Sequence, residues 1–150
     1  PFGKAIWEVK AMQYKIMLIE HNRLLLEQLS KVIENAPDME LEARFQSSSD
    51  ALGQGRVFSP NIILLDAEIG NATELLQELI GVFPGAAVIC TGEKWEAEST
   101  SHFIQAGASG YLIKPFTYNG LKEAIKIYVV DRLEAKLCGP LDIPFQIVNE

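Results

Sequence analysis

Two short runs that are apolar throughout most constrain how this chain can fold. The runs Ile62 to Leu65 and Ala86 to Cys90 show no alternation between apolar and polar side chains. A strand covered on both faces has this composition, whereas a strand with one face in water alternates. Both runs therefore predict buried strands of a parallel sheet with helices on each face.

Three more apolar runs alternate with helical patterns along the chain. The further predicted strands are Ile16 to Ile19, Leu41 to Phe45 and Tyr111 to Ile113. The predicted helices are one that follows Asn22 as its N-cap and ends at Pro37, then 50–58, 73–82 with Thr73 as its cap, 96–106 and 118–134. Five alternations favour right-handed βαβ units, and hence an α/β, doubly wound, five-stranded parallel sheet of order 2-1-3-4-5.

The chain has the length of one domain, which we expect to span residues 14–134. Residues 1–13 do not match the pattern of the first strand, so we expect an N-terminal arm or a remnant of a longer or processed chain. Residues 135–150 contain Gly139, Pro140 and Pro144 and are expected to be a C-terminal tail or linker.

Charge and hydropathy exclude several classes of partner. Thirteen basic residues against twenty acidic ones give a net charge of −7, which repels nucleic acid and anionic lipid. No apolar run approaches the roughly 18 residues of a membrane helix. We therefore expect a cytoplasmic protein that binds neither nucleic acid through this segment nor a membrane, with Cys90 and Cys138 as reduced thiols.

Polar side chains follow four of the predicted strands. Glu20 and His21 follow the first, Asp66 the third, Thr91 the fourth and Lys114 the fifth. Ligands of doubly wound sheets bind outside the carboxyl ends of the strands, at the switch point. Taken singly, these residues have ordinary explanations: an aspartate that caps a loop, a threonine at a strand end, a surface Lys-Pro turn. Together they bring a nucleophile, a hydroxyl and a cation to one edge.

Three segments carry a resemblance to a known family. They are Asn61-Ile-Ile-Leu-Leu-Asp66, Val88-Ile-Cys-Thr91-Gly92 and Ala106-Gly-Ala-Ser-Gly-Tyr-Leu-Ile-Lys-Pro-Phe116. In order and spacing they resemble response-regulator receiver domains, including the chemotaxis receivers, and the resemblance extends from Tyr14 to about Asp131. It implies a flavodoxin-like receiver fold and a part in two-component signalling, not an enzyme.

The resemblance also implies a role for each matched position. Asp66 would be phosphorylated by a histidine kinase, a phosphotransfer protein or a small phosphodonor. Thr91 would contact the phosphoryl group, Lys114 would pair with it, and Tyr111 would be the aromatic switch whose ring moves inward. The face made by helix four, strand five and helix five would then bind a partner or a second copy as a homodimer, with Ile127 expected to be exposed on it.

The sequence departs from the family at the metal site. Receivers usually end strand one with two adjacent acidic residues that hold Mg²⁺, and this chain has Glu20-His21. Mg²⁺ prefers oxygen ligands, so the His21 position is impaired and the ion is expected to bind weakly or not at all, through Glu20, Asp66 and the backbone or side chain of Glu68. The proline usual four residues after the phosphoacceptor is Gly70 here.

Other functions stay open at this stage. The domain could be a degenerate, phosphorylation-independent receiver that serves for dimerisation or docking, which the loss of the acid pair favours. A phosphoaspartyl hydrolase ranks lower because those enzymes place the nucleophile after the first strand. An FMN site ranks low as well, because no hydroxyl- and glycine-rich phosphate loop follows strand one.

Overall fold

The computed structural model describes residues 13–131 and the strand at 146–147. Six parallel strands form one sheet: β1 (Tyr14–Ile19), β2 (Met39–Phe45), β3 (Ile62–Asp66), β4 (Ala87–Gly92), β5 (Gly110–Ile113) and β6 (Gln146–Ile147). Their order is 2-1-3-4-5-6. The predicted five-strand order is thus confirmed, and β6 extends it by pairing with Tyr111 and Leu112 of β5.

The described part of the chain has five α-helices: α1 (Arg23–Glu34), α2 (Ser48–Gln54), α3 (Ala72–Val82), α4 (Ala97–Gln105) and α5 (Tyr118–Ile125). A 3-10 turn at Gly55–Val57 follows α2, and a π-helical segment at Lys126–Asp131 continues α5. The expected cap of α1 is present, since the Asn22 side chain accepts a hydrogen bond from the backbone N–H of Leu25. The expected cap at Thr73 is wrong: α3 begins at Ala72, and Thr73 lies in its first turn.

The helices cover both faces of the sheet, as the apolar strands require. On one face, α1 and α5 pack on the even-numbered residues Ile16, Leu18, Ile62 and Leu64, whereas α2, α3 and α4 pack on Met17, Ile19, Ile63 and Leu65 on the other. All five side chains of β3 are buried. Burying both faces of the central strands removes their apolar surface from water, which is the main favourable contribution to folding.

The fifth helix differs in one detail from its expected packing. Leu121, Ala124, Ile125 and Tyr128 are buried against the sheet as predicted. Ile127, expected to be exposed, is half-buried and packs against the same cluster. The apolar stripe of this segment is therefore wider than the helical spacing suggested.

The two ends of the domain lie mostly outside the described residues. This applies to residues 1–12 of the expected arm and, apart from β6, to residues 132–150, which include most of the expected tail and Cys138. Within residues 13–131 and 146–147, no helix has the length and apolar character needed to cross a membrane.

Candidate functional site

Asp66 is the last residue of β3 and lies at the carboxyl edge of the sheet. Its Cα pairs in register with that of Thr91 on β4, and its side chain is fully buried. The loop after β3 turns back at once, so that the backbone N–H of Glu68 donates to Asp66 Oδ1 over 2.9 Å. The carboxylate is thereby held at the centre of the sheet edge.

Lys114 reaches this carboxylate from the end of β5. Its Nζ donates to Asp66 Oδ1 and to Glu20 Oε1, each over 2.8 Å. The Lys114 side chain is 1% exposed, and the two carboxylates are fully buried. The expected approach of the lysine to Asp66 is present, and the peptide bond from Lys114 to Pro115 is cis. One buried cation therefore joins the ends of β1, β3 and β5.

His21 occupies the other side of the two carboxylates. Its Nδ1 contacts Asp66 Oδ2 and lies 3.4 Å from Glu20 Oε2, while its backbone N–H donates to Asp66 Oδ2 over 3.2 Å. The backbone N–H of Asn22 donates to Glu20 Oε2 over 3.1 Å. Unlike the carboxylates, the His21 side chain is 50% exposed. It forms the solvent-facing wall of the site.

These contacts set the protonation states. Burial alone would raise the pKa of Asp66, but the hydrogen bonds from Lys114 and His21 outweigh it and hold the pKa at about 2. Burial raises the pKa of Glu20 above its ordinary value, partly offset by the bond from Lys114. Burial alone would lower the pKa of Lys114, but its bonds to the two carboxylates outweigh it and raise the pKa. Asp66 is therefore a carboxylate at neutral pH.

The pKa of His21 is raised from its ordinary value, mainly because the imidazole is hydrogen-bonded to Asp66. The negative charge of that carboxylate favours the protonated ring, and Glu20 adds to the effect. The buried Lys114 ammonium thus lies on one side of the two carboxylates. On the other side lies His21, whose raised pKa favours the protonated, cationic ring.

Thr91 and Tyr111 lie beside this centre. The Thr91 hydroxyl is buried and donates to the carbonyl of Leu65 over 3.4 Å. The Tyr111 ring is 6% exposed and lies over Gly92, where a Cβ atom would collide with its hydroxyl. That hydroxyl donates to the carbonyl of Lys94 over 3.1 Å. The Tyr111 side chain is thus buried against Gly92, and its role as a switch stays a prediction.

Glu68 lies at the margin of the site. Its carboxylate is about half exposed, and its Oε2 lies 4.0 Å from Lys114 Nζ. Within residues 13–131 and 146–147, the side chains that could hold a metal ion together are Glu20, His21 and Asp66, with one ligand atom each, all within 4.8 Å of one another. The Glu68 carboxylate is outside this group, and a contribution from its backbone stays a prediction.

The fold agrees with what comparisons with known proteins find. The family model for the response regulator receiver domain matches residues 16–126. The chain therefore belongs to the response regulator receiver domain family, a class of signalling modules, and its place is in two-component signalling.

Individual relatives are distant. The chain is 25% identical over 122 residues to the transcriptional regulatory protein DegU of Brevibacillus brevis, a match that covers 80% of this chain and 52% of that protein. It is 22% identical over 116 residues to the chemotaxis protein CheY of Halobacterium salinarum, covering 76% and 95%. A two-component response regulator of the LuxR family from Aurantimonas sp. shares the fold with a TM-score of 0.70 at 21% identity, covering 79% and 86%. The chain spans about half the length of DegU and of the similar regulators DevR/DosR and GacA.

Receiver domains bind Mg²⁺ at an acidic pocket, and the donor set here fits that ion poorly. Mg²⁺ takes oxygen ligands in octahedral geometry and is a weak partner for imidazole. One of the three available donors is the His21 nitrogen, and one oxygen of each carboxylate is bonded to Lys114. The reduced Mg²⁺ affinity expected from the sequence stays a prediction.

Sequence reasoning missed two contacts of the site. The bond between His21 and Asp66 and the position of the Tyr111 hydroxyl on Lys94 were not anticipated. The first had a signal, because the ends of β1 and β3 are neighbours in the predicted order. The second depends on the path of the loop after Gly92, which no periodicity describes.

Proposed function

We propose that this domain accepts a phosphoryl group on Asp66 and uses the added charge to change a protein-binding face. The observation that supports this most directly is the buried Asp66 carboxylate, held at the strand end by Lys114 Nζ at 2.8 Å and placed beside Thr91 in register. A low pKa keeps Asp66 in its nucleophilic form.

The chemistry is a direct phosphoryl transfer. An oxygen of Asp66 attacks the phosphorus atom of the donor, the bond from phosphorus to the donor's leaving group breaks, and an acyl phosphate forms. Lys114 offsets the negative charge that gathers on the transferred group. The half-exposed ring of His21 must give up Asp66 Oδ2 before the donor can approach that oxygen, and its exposure leaves room for this movement.

The response would pass through Thr91 and Tyr111. A phosphoryl group on Asp66 offers the Thr91 hydroxyl a charged acceptor in place of the Leu65 carbonyl, and charge-assisted bonds are the stronger ones. Movement of β4 at Thr91 reaches Tyr111 through Gly92, on which the ring lies. The face made by α4, β5 and α5 would then change its affinity for a partner or a second copy of the chain.

The partners follow from this chemistry. The donor is a histidine kinase or a phosphotransfer protein, which places the domain in the cytoplasm. The relative DevR/DosR is named a DNA-binding transcriptional activator; for this chain, whose net charge is −7, we propose protein partners and not direct binding to nucleic acid.

A second function is favoured by the contact of His21 with Asp66, since the ring occupies the side from which the oxygen would react. In that case the receiver is a docking or dimerisation module that works without phosphorylation. Labelling distinguishes the two functions.

The test is incubation with acetyl phosphate followed by intact-mass measurement. The parent chain is expected to gain one phosphoryl group, Asp66→Asn is expected to gain none, and the matched control Asp50→Asn, at an exposed position of α2, is expected to behave as the parent. Equal mass gain in Asp66→Asn, or no gain in the parent at any donor concentration that labels a conventional receiver, would contradict the proposal and favour the second function.

A further inference from the structure

The two buried carboxylates of the site, Glu20 and Asp66, each contact Lys114 with one oxygen and His21 with the other. Oε1 of Glu20 and Oδ1 of Asp66 bind Lys114 Nζ at 2.8 Å. Their other oxygens, Oε2 and Oδ2, face the Nδ1 atom of His21. Three potential ligand atoms, two oxygens and one imidazole nitrogen, therefore converge on the side of the site away from the lysine.

The three atoms lie within 4.8 Å of one another, and one of their separations already suits two ligands of a small cation. His21 Nδ1 lies 3.4 Å from Glu20 Oε2, and two ligands that are each about 2.1 Å from a tetrahedral ion lie about 3.4 Å apart. Nδ1 contacts Asp66 Oδ2 directly, so the ring must turn slightly to admit an ion between them. The side chain of His21 is 50% exposed, which leaves space for that turn and for water to complete the coordination.

The donor types select the class of ion. Imidazole is a favoured ligand for Zn²⁺ and its transition-metal neighbours, whereas the hard ions Mg²⁺ and Ca²⁺ are held almost entirely by oxygen. We propose that Glu20, His21 and Asp66 form a binding site for a borderline divalent transition metal of the Zn²⁺ class, so that the change to His21 alters the ion selectivity of the site.

The inference concerns the same site as the proposed function but does not require that Asp66 be phosphorylated. Metal binding is measured on the unmodified protein, and phosphoryl labelling is measured separately by mass. A failure to bind metal would not contradict phosphorylation of Asp66, and a failure of labelling would not contradict metal binding. The two proposals can therefore be refuted independently.

The experiment titrates the 150-residue chain with Co²⁺, followed by its visible absorption, and with Zn²⁺ and Mg²⁺ by calorimetry in a mildly alkaline buffer. Cys138→Ser serves as the background throughout, because a free thiolate is itself a strong Zn²⁺ ligand. Cys90 can stay, since burial raises the pKa of its thiol to about 12 and keeps it protonated. The variants are His21→Ala and His21→Asp, with His102→Ala as the matched control because His102 is exposed on α4.

We expect the parent and His102→Ala to bind one Co²⁺ or Zn²⁺ with equal affinity. His21→Ala should lose at least about tenfold in Zn²⁺ affinity. Mutating a residue that only hydrogen-bonds to a metal ligand already lowers metal affinity by about 10–100-fold, and His21 is proposed to be a ligand itself. His21→Asp should bind Zn²⁺ less tightly and Mg²⁺ more tightly than the parent.

The comparison that decides is the ratio of Zn²⁺ to Mg²⁺ affinity, because most sites bind Zn²⁺ more tightly than Mg²⁺ in absolute terms. A ratio that is the same in the parent and in His21→Asp would overturn the proposal. Zn²⁺ affinity that survives intact in His21→Ala, or a parent that shows no Co²⁺ absorption, would overturn it as well.

Discussion

Replacing Lys114 with methionine tests how far the buried cation holds this site together. The substitution keeps much of the side-chain volume and removes the charge that bonds to Glu20 and Asp66 at 2.8 Å. Removing one partner of a buried pair costs about 3–5 kcal/mol, because the remaining charge is left without compensation. With an unfolding slope of roughly 2 kcal/mol per M urea, the midpoint should fall by about 1.5–2.5 M.

The matched control is Lys94→Met. Lys94 pairs with Glu96 over 3.1 Å, but the two side chains are 78% and 51% exposed, and such surface pairs contribute about 0–1 kcal/mol. If Lys114→Met lowers the midpoint no more than this control, the argument that the buried cation stabilises the site is wrong.

A second variant keeps the test interpretable if Lys114→Met alone does not fold. The double variant Lys114→Met with Glu20→Gln removes one of the two uncompensated carboxylates and should regain roughly 1–3 kcal/mol, the cost of a buried polar group without a partner. The defect of Lys114→Met should also shrink below about pH 5, since uncompensated carboxyl groups take up protons there and lose their charge. A defect that is independent of pH would point to lost packing instead.

Two further perturbations address the packing of Tyr111 on Gly92 and the bond of His21 to Asp66. Gly92→Ala places a Cβ atom on the Tyr111 hydroxyl and should lower the free energy of unfolding by about 1–3 kcal/mol through overpacking. The control is Gly81→Ala on α3, where the added Cβ atom meets nothing within 4 Å. Equal urea midpoints for the two variants would contradict the packing described. The pKa of His21 is raised from its ordinary value of 6.5. The bond from His21 to Asp66 therefore makes its full contribution to the free energy of unfolding below pH 6.5, and this contribution is lost as the pH rises through the raised pKa. The stability advantage of the parent over His21→Gln should therefore decline with rising pH, and an advantage that grows would refute this assignment.

The sequence predicted the sheet because its signal is repeated and strong. Runs such as Ile62 to Leu65 have both faces covered, and this composition alone indicates a parallel central strand. The ends of such strands share one edge, so the strand order by itself predicts that Asp66, Thr91 and Lys114 lie close together.

The parts that sequence reasoning missed depend on geometry without periodicity. The strand β6 has two residues, too few to show alternation, and it forms because the edge of β5 is available for pairing. The contact of His21 with Asp66 depends on the turn after β1, where the backbone N–H groups of His21 and Asn22 bond to buried carboxylates. The 3-10 turn after α2 arises where Gly55 lies against Met17 and Phe45, a tertiary constraint that helix propensity does not contain.

The most direct test of the account is to locate the phosphoryl group on the chain. After incubation with acetyl phosphate, borohydride reduction converts an aspartyl phosphate to homoserine, and peptide mass spectrometry then identifies the modified residue. The account predicts homoserine at position 66 in the parent and none in Asp66→Asn. Homoserine at another aspartate, or a parent that carries none under conditions that label a conventional receiver, would contradict the claim that Asp66 is the phosphoacceptor.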